Sequence, residues 1–144
     1  MSISVNKLDS AWWALRISLG AVPFLAGLDK FFNVLTNWEM YLSPMAARLL
    51  PVSGGELMHA VGIVEMVVGL AILTRWTRIG SYVAMVWLVL ISVNLIDAGF
   101  LDVAVRDLEM AIAAYTLARL TEARQPATNQ QPVPVGGQTA GLAR

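Results

Sequence analysis

Cysteine is absent from the sequence, and histidine occurs once, at His59. A chain without cysteine cannot form a disulfide, a thiolate nucleophile or an iron–sulfur cluster held by cysteine ligands. One histidine excludes bis-histidine ligation of haem within a single chain. Because no second metal-ligating residue lies at a suitable spacing from His59, we predict no metal site. The sequence therefore contains no motif for a resident redox cofactor.

Charged residues are also few. They make up 14% of the sequence, where a soluble domain carries about 25%, and they sum to a net charge of +0. Hydrophobic residues make up 57% of the chain, and the mean hydropathy is +0.63. Without a basic stripe, the chain lacks the electrostatic signature of a nucleic-acid-binding protein. This balance instead predicts an integral membrane protein, with the lipid bilayer as its main partner.

Apolar runs of membrane-spanning length occur four times. The third run carries no formal charge, whereas the fourth carries several charged residues and gives the weakest signal. We predict an all-α protein with a four-helix transmembrane bundle over residues 1–121. The segment 122–144 has no aromatic residue and little to bury, which predicts a disordered cytoplasmic tail. The predicted spans cover residues 12–34, 57–73, 79–96 and 103–120.

The N-terminus admits a competing interpretation as a cleaved signal peptide, because Lys7 precedes an apolar stretch. Arg16 interrupts that stretch and no small-x-small cleavage site follows, so we favour an uncleaved first helix. In the loop after the first span, the segment NWEMYLSPMAARLL mixes aromatic, apolar and charged residues. This mixture predicts a short amphipathic helix that lies at the membrane interface.

Positive charges near the ends of the spans are divided unequally between the two sides of the membrane. The first side has five such residues, Lys7, Arg75, Arg78, Arg119 and Arg124, and the second has three, Lys30, Arg48 and Arg106. Lysine and arginine are enriched in cytoplasmic segments. Both termini are therefore predicted to be cytoplasmic, in a multi-pass protein of the inner (plasma) membrane.

Helix positions that recur after four and then three residues share one face of the helix. In each predicted span this face combines small residues, which allow close packing of helices in membranes, with a polar or charged group. The four faces are Arg16, Gly20, Pro23, Gly27, Lys30; Met58, Gly62, Glu65, Gly69, Ile72; Gly80, Ala84, Trp87, Ile91, Asn94; and Arg106, Glu109, Ala113, Thr116, Leu120. We predict helix packing at Gly20, Gly27, Gly62, Gly69 and Gly80. The predicted buried polar groups are Arg16, Lys30, Glu65, Asn94, Arg106 and Glu109.

These polar groups predict a chamber that opens towards the outer face, with Glu65 near its floor at mid-membrane depth. A charge at the bilayer centre costs about 2.5–3.5 kcal/mol on insertion scales, so a carboxyl there must be paired or protonated. Structural explanations stay open for the other groups. Arg16 can snorkel to the interface, and Arg106 and Glu109 stand one turn apart, where they can neutralise each other.

Three segments carry a resemblance to a known family. LRISLGAVPFLAGLDKFF, GIVEMVVGLAIL and RDLEMAIAAYTLARL together resemble the DoxX family of small four-helix bacterial and archaeal membrane proteins, over residues 12–121. Ala26 stands where many relatives have a histidine, which argues against a role that needs a base there. The family-like positions are Arg16, Gly20, Gly27, Lys30, Glu65, Gly69, Arg106 and Asp107.

The resemblance implies a redox setting, since relatives occur in a thiosulfate:quinone oxidoreductase and in a membrane complex for thiol and oxidative-stress homeostasis. We expect a membrane subunit that is not catalytic alone and has an oxidoreductase partner in the membrane or the periplasm. Quinone is the candidate ligand, with Glu65, Trp87 and Asn94 as a wall for it. A small solute or proton transporter and a purely structural scaffold are the alternatives, and assembly as a homo-oligomer stays open.

Overall fold

A computed structural model describes residues 5–124, and every regular element in this range is helical. The prediction of an all-α chain is confirmed. The α-helices are α1 (Val5–Asp29), α2 (Pro44–Leu49), α3 (Gly54–Leu73), α4 (Thr77–Asp97) and α5 (Leu101–Arg124), and a 3-10 turn at Trp38–Tyr41 precedes α2. Most of the predicted tail, from residue 125 onward, lies outside the described residues.

Three of the long helices, α1, α3 and α4, are long and apolar enough to cross a bilayer. This result supports the prediction of a membrane protein. The fourth long helix, α5, has a comparable length but is more polar, because charged residues recur along it. Whether α5 can be a fourth span therefore depends on whether its polar side chains face the other helices or the lipid.

The sequence predicts the positions of the long helices well but misplaces several of their ends, and two of these differences have clear causes. Ser53 and Glu56 form a capping box at the start of α3, three residues before the predicted start. The first span was predicted to continue to Val34, but α1 ends at Asp29. There the Asp29 carboxylate accepts hydrogen bonds from the backbone N–H groups of Val34 and Leu35, both at 3.1 Å. These bonds turn the chain back over the end of α1.

The four long helices contact one another in a closed circuit. α1 packs along α3 and α4 packs along α5, while α3 contacts α4 and α1 contacts α5. A buried apolar cluster lies between them, formed by Trp12, Leu19, Val68, Ile72, Ala84, Ala114 and Leu117. Close packing in this cluster uses small side chains on α4 and α5, which bring these two helices together.

The two ends of this assembly differ, and we name them the termini end and the loop end. At the termini end the start of α1 meets the end of α5: Trp12 donates from Nε1 to Thr121 Oγ1 at 2.8 Å, and Arg124 pairs with Asp9. These contacts explain why α5 continues to Arg124, beyond the predicted end of the membrane domain at residue 121. The loop end carries the segment 30–53, which contains the 3-10 turn and α2.

Candidate functional site

The site is built on a close contact between α1 and α3, which their glycines allow. A Cβ atom added at Gly27 would lie 2.5 Å from the carbonyl oxygen of Gly62, and one added at Gly62 would lie 2.5 Å from that of Gly27. Gly20 and Gly69 repeat this arrangement two turns away, with a Cβ at Gly69 lying 2.5 Å from the Gly20 carbonyl. Any side chain at these positions would push the two backbones apart. The glycines therefore set the distance across which α1 and α3 exchange polar contacts.

A buried ion pair joins these two helices. Lys30 Nζ lies 2.6 Å from Glu65 Oε2, and the two side chains are only 5% and 12% exposed. Lys30 follows the last residue of α1, whereas Glu65 lies near the middle of α3, roughly 16 Å along the helix from Gly54. The long lysine side chain must therefore reach inward from the loop end. Buried charges of this kind are costly to place and costly to separate.

Trp38 covers this ion pair on the side of the loop end. Its ring centroid is 3.7 Å from Lys30 Nζ, which is within range of a cation–π interaction. The indole is fixed in turn, because its Nε1 donates a hydrogen bond of 2.8 Å to Asp29 Oδ2. Asp29 thus holds both the backbone turn after α1 and the aromatic cover over Lys30. Trp38 was not predicted to contact Lys30, because Trp38 begins the 3-10 turn between α1 and α2 and lies on no long helix.

Asp107 supplies a second buried carboxylate from α5. Its residue exposure is 8%, and it lies close enough to Lys30 and Glu65 to interact with both electrostatically. Arg106 Nε approaches Asp107 Oδ1 at 3.7 Å, but the Arg106 side chain is 66% exposed. We call Lys30, Glu65, Asp107 and the covering Trp38 the Lys30 cluster. With all its groups ionised the cluster has a charge of −1, from one ammonium and two carboxylates.

The predicted inner face of α5 is wrong by one position. Arg106 and Glu109 were placed on the buried face, but both are exposed, and Asp107 lies there instead. The buried face repeats small residues after three and four positions, at Ala104, Asp107, Ala111, Ala114 and Ala118. Alanines at this spacing let α5 approach its neighbours closely. That pattern was present in the sequence, although only the resemblance named Asp107.

Two other predicted polar groups hold the fold and lie outside the Lys30 cluster. Arg16 binds three backbone carbonyls at the end of α3, donating to Ile72, Leu73 and Thr74 at 3.0, 2.8 and 2.7 Å. This guanidinium satisfies carbonyls that a helix C-terminus leaves without partners. Arg16 therefore acts as a cap on a neighbouring helix.

Asn94 fixes the loop that precedes α2. Its amide accepts a hydrogen bond from the backbone N–H of Ser43 at 3.1 Å and donates one to the carbonyl of Tyr41 at 2.8 Å. Both halves of the amide are thus occupied by the chain itself. Asn94 was predicted to contribute to a ligand wall, and these bonds give it a structural role instead.

Trp87 has a different environment from Asn94. Its Nε1 is buried and has no hydrogen-bond partner among residues 5–124. A Cβ at Gly80 would lie 2.9 Å from the backbone nitrogen of Ile72, so α3 and α4 come close at these two positions. Trp87 and Glu65 each lie seven residues beyond that contact, about 10 Å deeper. The free indole donor therefore lies at the same depth as Glu65.

The remaining features lie near the ends of the helices. His59 is exposed and stacks on Phe31 with a centroid distance of 4.7 Å. At the termini end, Arg75, Trp76, Arg78 and Tyr82 line an open cleft of about 510 Å³, which is separate from the Lys30 cluster. Within the described range, no three histidine, aspartate or glutamate residues come together as a potential metal site.

Comparisons with protein-family models, with curated proteins and with solved structures give no match.

Proposed function

We propose that this chain is a DoxX-like membrane subunit of an oxidoreductase system, in which the Lys30 cluster holds an exchangeable proton next to a quinone. The observation that carries the proposal is the pairing of one buried ammonium with two buried carboxylates, Glu65 and Asp107. Asp107 is also approached by the exposed Arg106, at 3.7 Å. Two carboxylates around one buried ammonium give the interior two groups that can hold a proton beside a ligand.

The proposal includes a four-helix transmembrane arrangement, with α5 as the fourth span. The four long helices contact one another in a circuit, and the buried face of α5 consists mostly of alanine. Lys7, Arg75, Arg78, Arg119 and Arg124 all belong to helix ends or turns at the termini end. In this proposal that end is cytoplasmic, following the positive-inside rule, and the Lys30 cluster lies in the outer half of the inner membrane.

Trp87 supports a quinone as the ligand. Its buried indole N–H lacks a partner among the described residues and lies level with Glu65, so it can donate a hydrogen bond to a carbonyl oxygen. A bound quinone would supply two-electron, two-proton redox chemistry. In this proposal the partner oxidoreductase supplies both electrons. Glu65 holds and releases one of the two protons while Lys30 keeps its carboxylate oriented, and the second proton comes from the aqueous phase.

A proton or small-solute pathway is the second candidate function. Arg106 favours it, because this exposed side chain approaches Asp107, which in turn interacts with the buried Lys30. These groups form a line from the surface to the middle of the molecule. Proton flux in liposomes that contain the chain alone, without a quinone or a partner, would favour this candidate over the first.

The deciding experiment replaces Glu65 with glutamine. Glu65→Gln leaves Lys30 and Asp107 as one positive and one negative charge, so we expect near-normal folding. It removes a group that can be protonated, so quinone-linked activity of the purified native complex should be lost. Glu122→Gln is the control, because this carboxylate lies at the termini end and pairs with Arg78. Full abundance together with full activity of Glu65→Gln would refute the proposed role.

Two further measurements test the membrane placement and the partner. Single cysteines at Val52 and Thr74, which lie at opposite ends of α3, should react with membrane-impermeant reagents from opposite sides. Labelling of both from the outside would contradict the orientation. Mass spectrometry of material purified in mild detergent should detect both an oxidoreductase subunit and a quinone.

A further inference from the structure

The outward face of α5 differs from the outward faces of the other three long helices. Over residues 10–28 of α1, 60–73 of α3 and 79–96 of α4, every exposed side chain is uncharged. The exposed face of α5 instead carries charged residues well inside the helix. Its exposed residues recur after three and four positions, and we call them the outer stripe: Asp102, Val105, Glu109, Ile112, Thr116, Arg119 and Ala123.

Glu109 is the residue that most needs a partner. It lies about 12 Å from the start of α5, and within residues 5–124 it forms no ion pair or side-chain hydrogen bond. If this face met lipid, a carboxylate at that depth would be costly. If it met water, Val105 and Ile112, which are 60% and 68% exposed, would be misplaced. A second protein surface resolves both cases.

We infer that the outer stripe is the interface with a second copy of this chain, related by a two-fold axis along the membrane normal. The spacing of the stripe after three and four residues is the one by which two helices pack along a seam. Copies that share one orientation place their α5 helices in parallel. In such a pair each stripe residue faces its own copy, so Val105 packs on Val105 and Ile112 on Ile112.

Charge complementarity favours a second copy over an unrelated partner. Arg106 flanks the stripe, three residues before Glu109, and its guanidinium is exposed. Three residues rise about 4.5 Å, and packed helices lie about 8–10 Å apart. The arginine of one copy therefore reaches the Glu109 carboxylate of the other. Because the two-fold axis also brings the two Glu109 carboxylates face to face, both Arg106 side chains are needed to neutralise them.

The inference goes beyond the proposed function and uses only its placement of α5 in the membrane. Arg106 would then touch both Asp107 of its own chain and Glu109 of the other copy. Dimerisation would in this way fix the position of Arg106, which is the exposed end of the series of polar groups that leads through Asp107 to the Lys30 cluster. Loss of the dimer and loss of quinone-linked activity are separate measurements, so either proposal can fail without the other.

Cysteine crosslinking tests the interface directly, because the chain has no native cysteine. Ile112→Cys should give a disulfide-linked dimer when native membranes are oxidised. Val86→Cys is the control, since Val86 is 53% exposed on the outward face of α4. Equal crosslinking at both positions, or none at Ile112, would overturn the inference. Crosslinking of Ile112→Cys to a different membrane protein would show that a partner covers the stripe, which would overturn it as well.

A charge exchange tests the pairs across the axis. Glu109→Arg and Arg106→Glu should each raise the dissociation constant of the dimer, followed by native mass spectrometry, by roughly tenfold or more, because two interhelical contacts between opposite charges become contacts between like charges. When the two variants carry different tags and are produced together, every cross-copy pair is again opposite in charge. We expect them to copurify as a mixed dimer. Failure to copurify, with both variants folded as judged by thermal melting, would refute the pairing.

Discussion

The glycines between α1 and α3 make a quantitative prediction about coupled substitutions. Gly27→Ala places a methyl group 2.5 Å from the Gly62 carbonyl oxygen, where an ordinary contact is about 3.4 Å or more. Neither atom belongs to a flexible side chain, so the helices must separate by roughly 1 Å. Radial gaps of about 0.5–1 Å cost the facing atoms about a quarter to a half of their dispersion energy. We expect each single substitution to destabilise the chain by about 1–3 kcal/mol.

The double variant distinguishes this explanation from a local effect of each methyl group. Because Gly27 and Gly62 obstruct the same approach of the same two backbones, one separation of the helices relieves both clashes. Gly27→Ala with Gly62→Ala should therefore cost less than the sum of the singles, with a coupling of about 0.5–3 kcal/mol. Gly27→Ala with Gly80→Ala should be closer to additive, because Gly80 lies at the contact between α3 and α4.

Unfolding in detergent micelles measures both quantities. Ala60→Leu is the matched control, since Ala60 is exposed on α3 and its replacement should change stability by less than about 0.5 kcal/mol. Strict additivity of Gly27→Ala and Gly62→Ala would show that the two helices do not move apart as a unit. Equal effects of Ala60→Leu and Gly27→Ala would show that the contact is not tight.

Other substitutions separate the structural groups from the Lys30 cluster. Lys30→Met leaves two buried carboxylates without their ammonium, so membrane abundance should fall sharply, with a loss of about 3–5 kcal/mol; normal abundance would contradict the burial of the pair. Trp38→Phe keeps a ring over Lys30 but loses the bond to Asp29, so it should melt between wild type and Trp38→Leu. Arg16→Gln should cost about 1–3 kcal/mol because carbonyls at the end of α3 lose a donor, and it should leave the activity per folded molecule unchanged. Asn94→Leu should increase proteolysis of the loop before α2, which limited digestion in detergent would detect.

The helical fold could be predicted from the sequence because long apolar runs and their boundaries are local signals. The capping box at Ser53 and Glu56 and the alanines of α5 were also present in the sequence and could have improved the prediction. The early end of α1 could not be predicted from apolarity, since Phe31, Phe32 and Val34 continue the hydrophobic character of the run beyond Asp29 and Lys30. There the hydrogen bonds from the N–H groups of Val34 and Leu35 to the Asp29 carboxylate end the helix, although the sequence stays apolar.

The candidate site was less predictable, because it depends on contacts between distant parts of the chain. Lys30 and Glu65 each stood on a predicted inner face with glycine, so both lie in the cluster. The face of α5 was ambiguous, since charges at positions 106 and 109 obeyed the same periodicity as the buried residues beside them. Trp38 reaches Lys30 from the 3-10 turn after α1, and no helical periodicity of the long helices predicts such a contact.

The contact of Arg16 with α3 has a consequence for the order of assembly in the membrane. This guanidinium binds carbonyls that lie 56 to 58 residues later in the chain, so α1 enters the membrane before its acceptors exist. Until then Arg16 can extend to the aqueous interface beside Trp12 and Trp13, which lie 4.8 and 5.0 Å from it. When α3 inserts, the carbonyl groups at its C-terminal end accept hydrogen bonds from Arg16, which no longer needs to reach the interface. The α1–α3 pair would thus form during synthesis, and the α4–α5 hairpin would join a half that is already fixed.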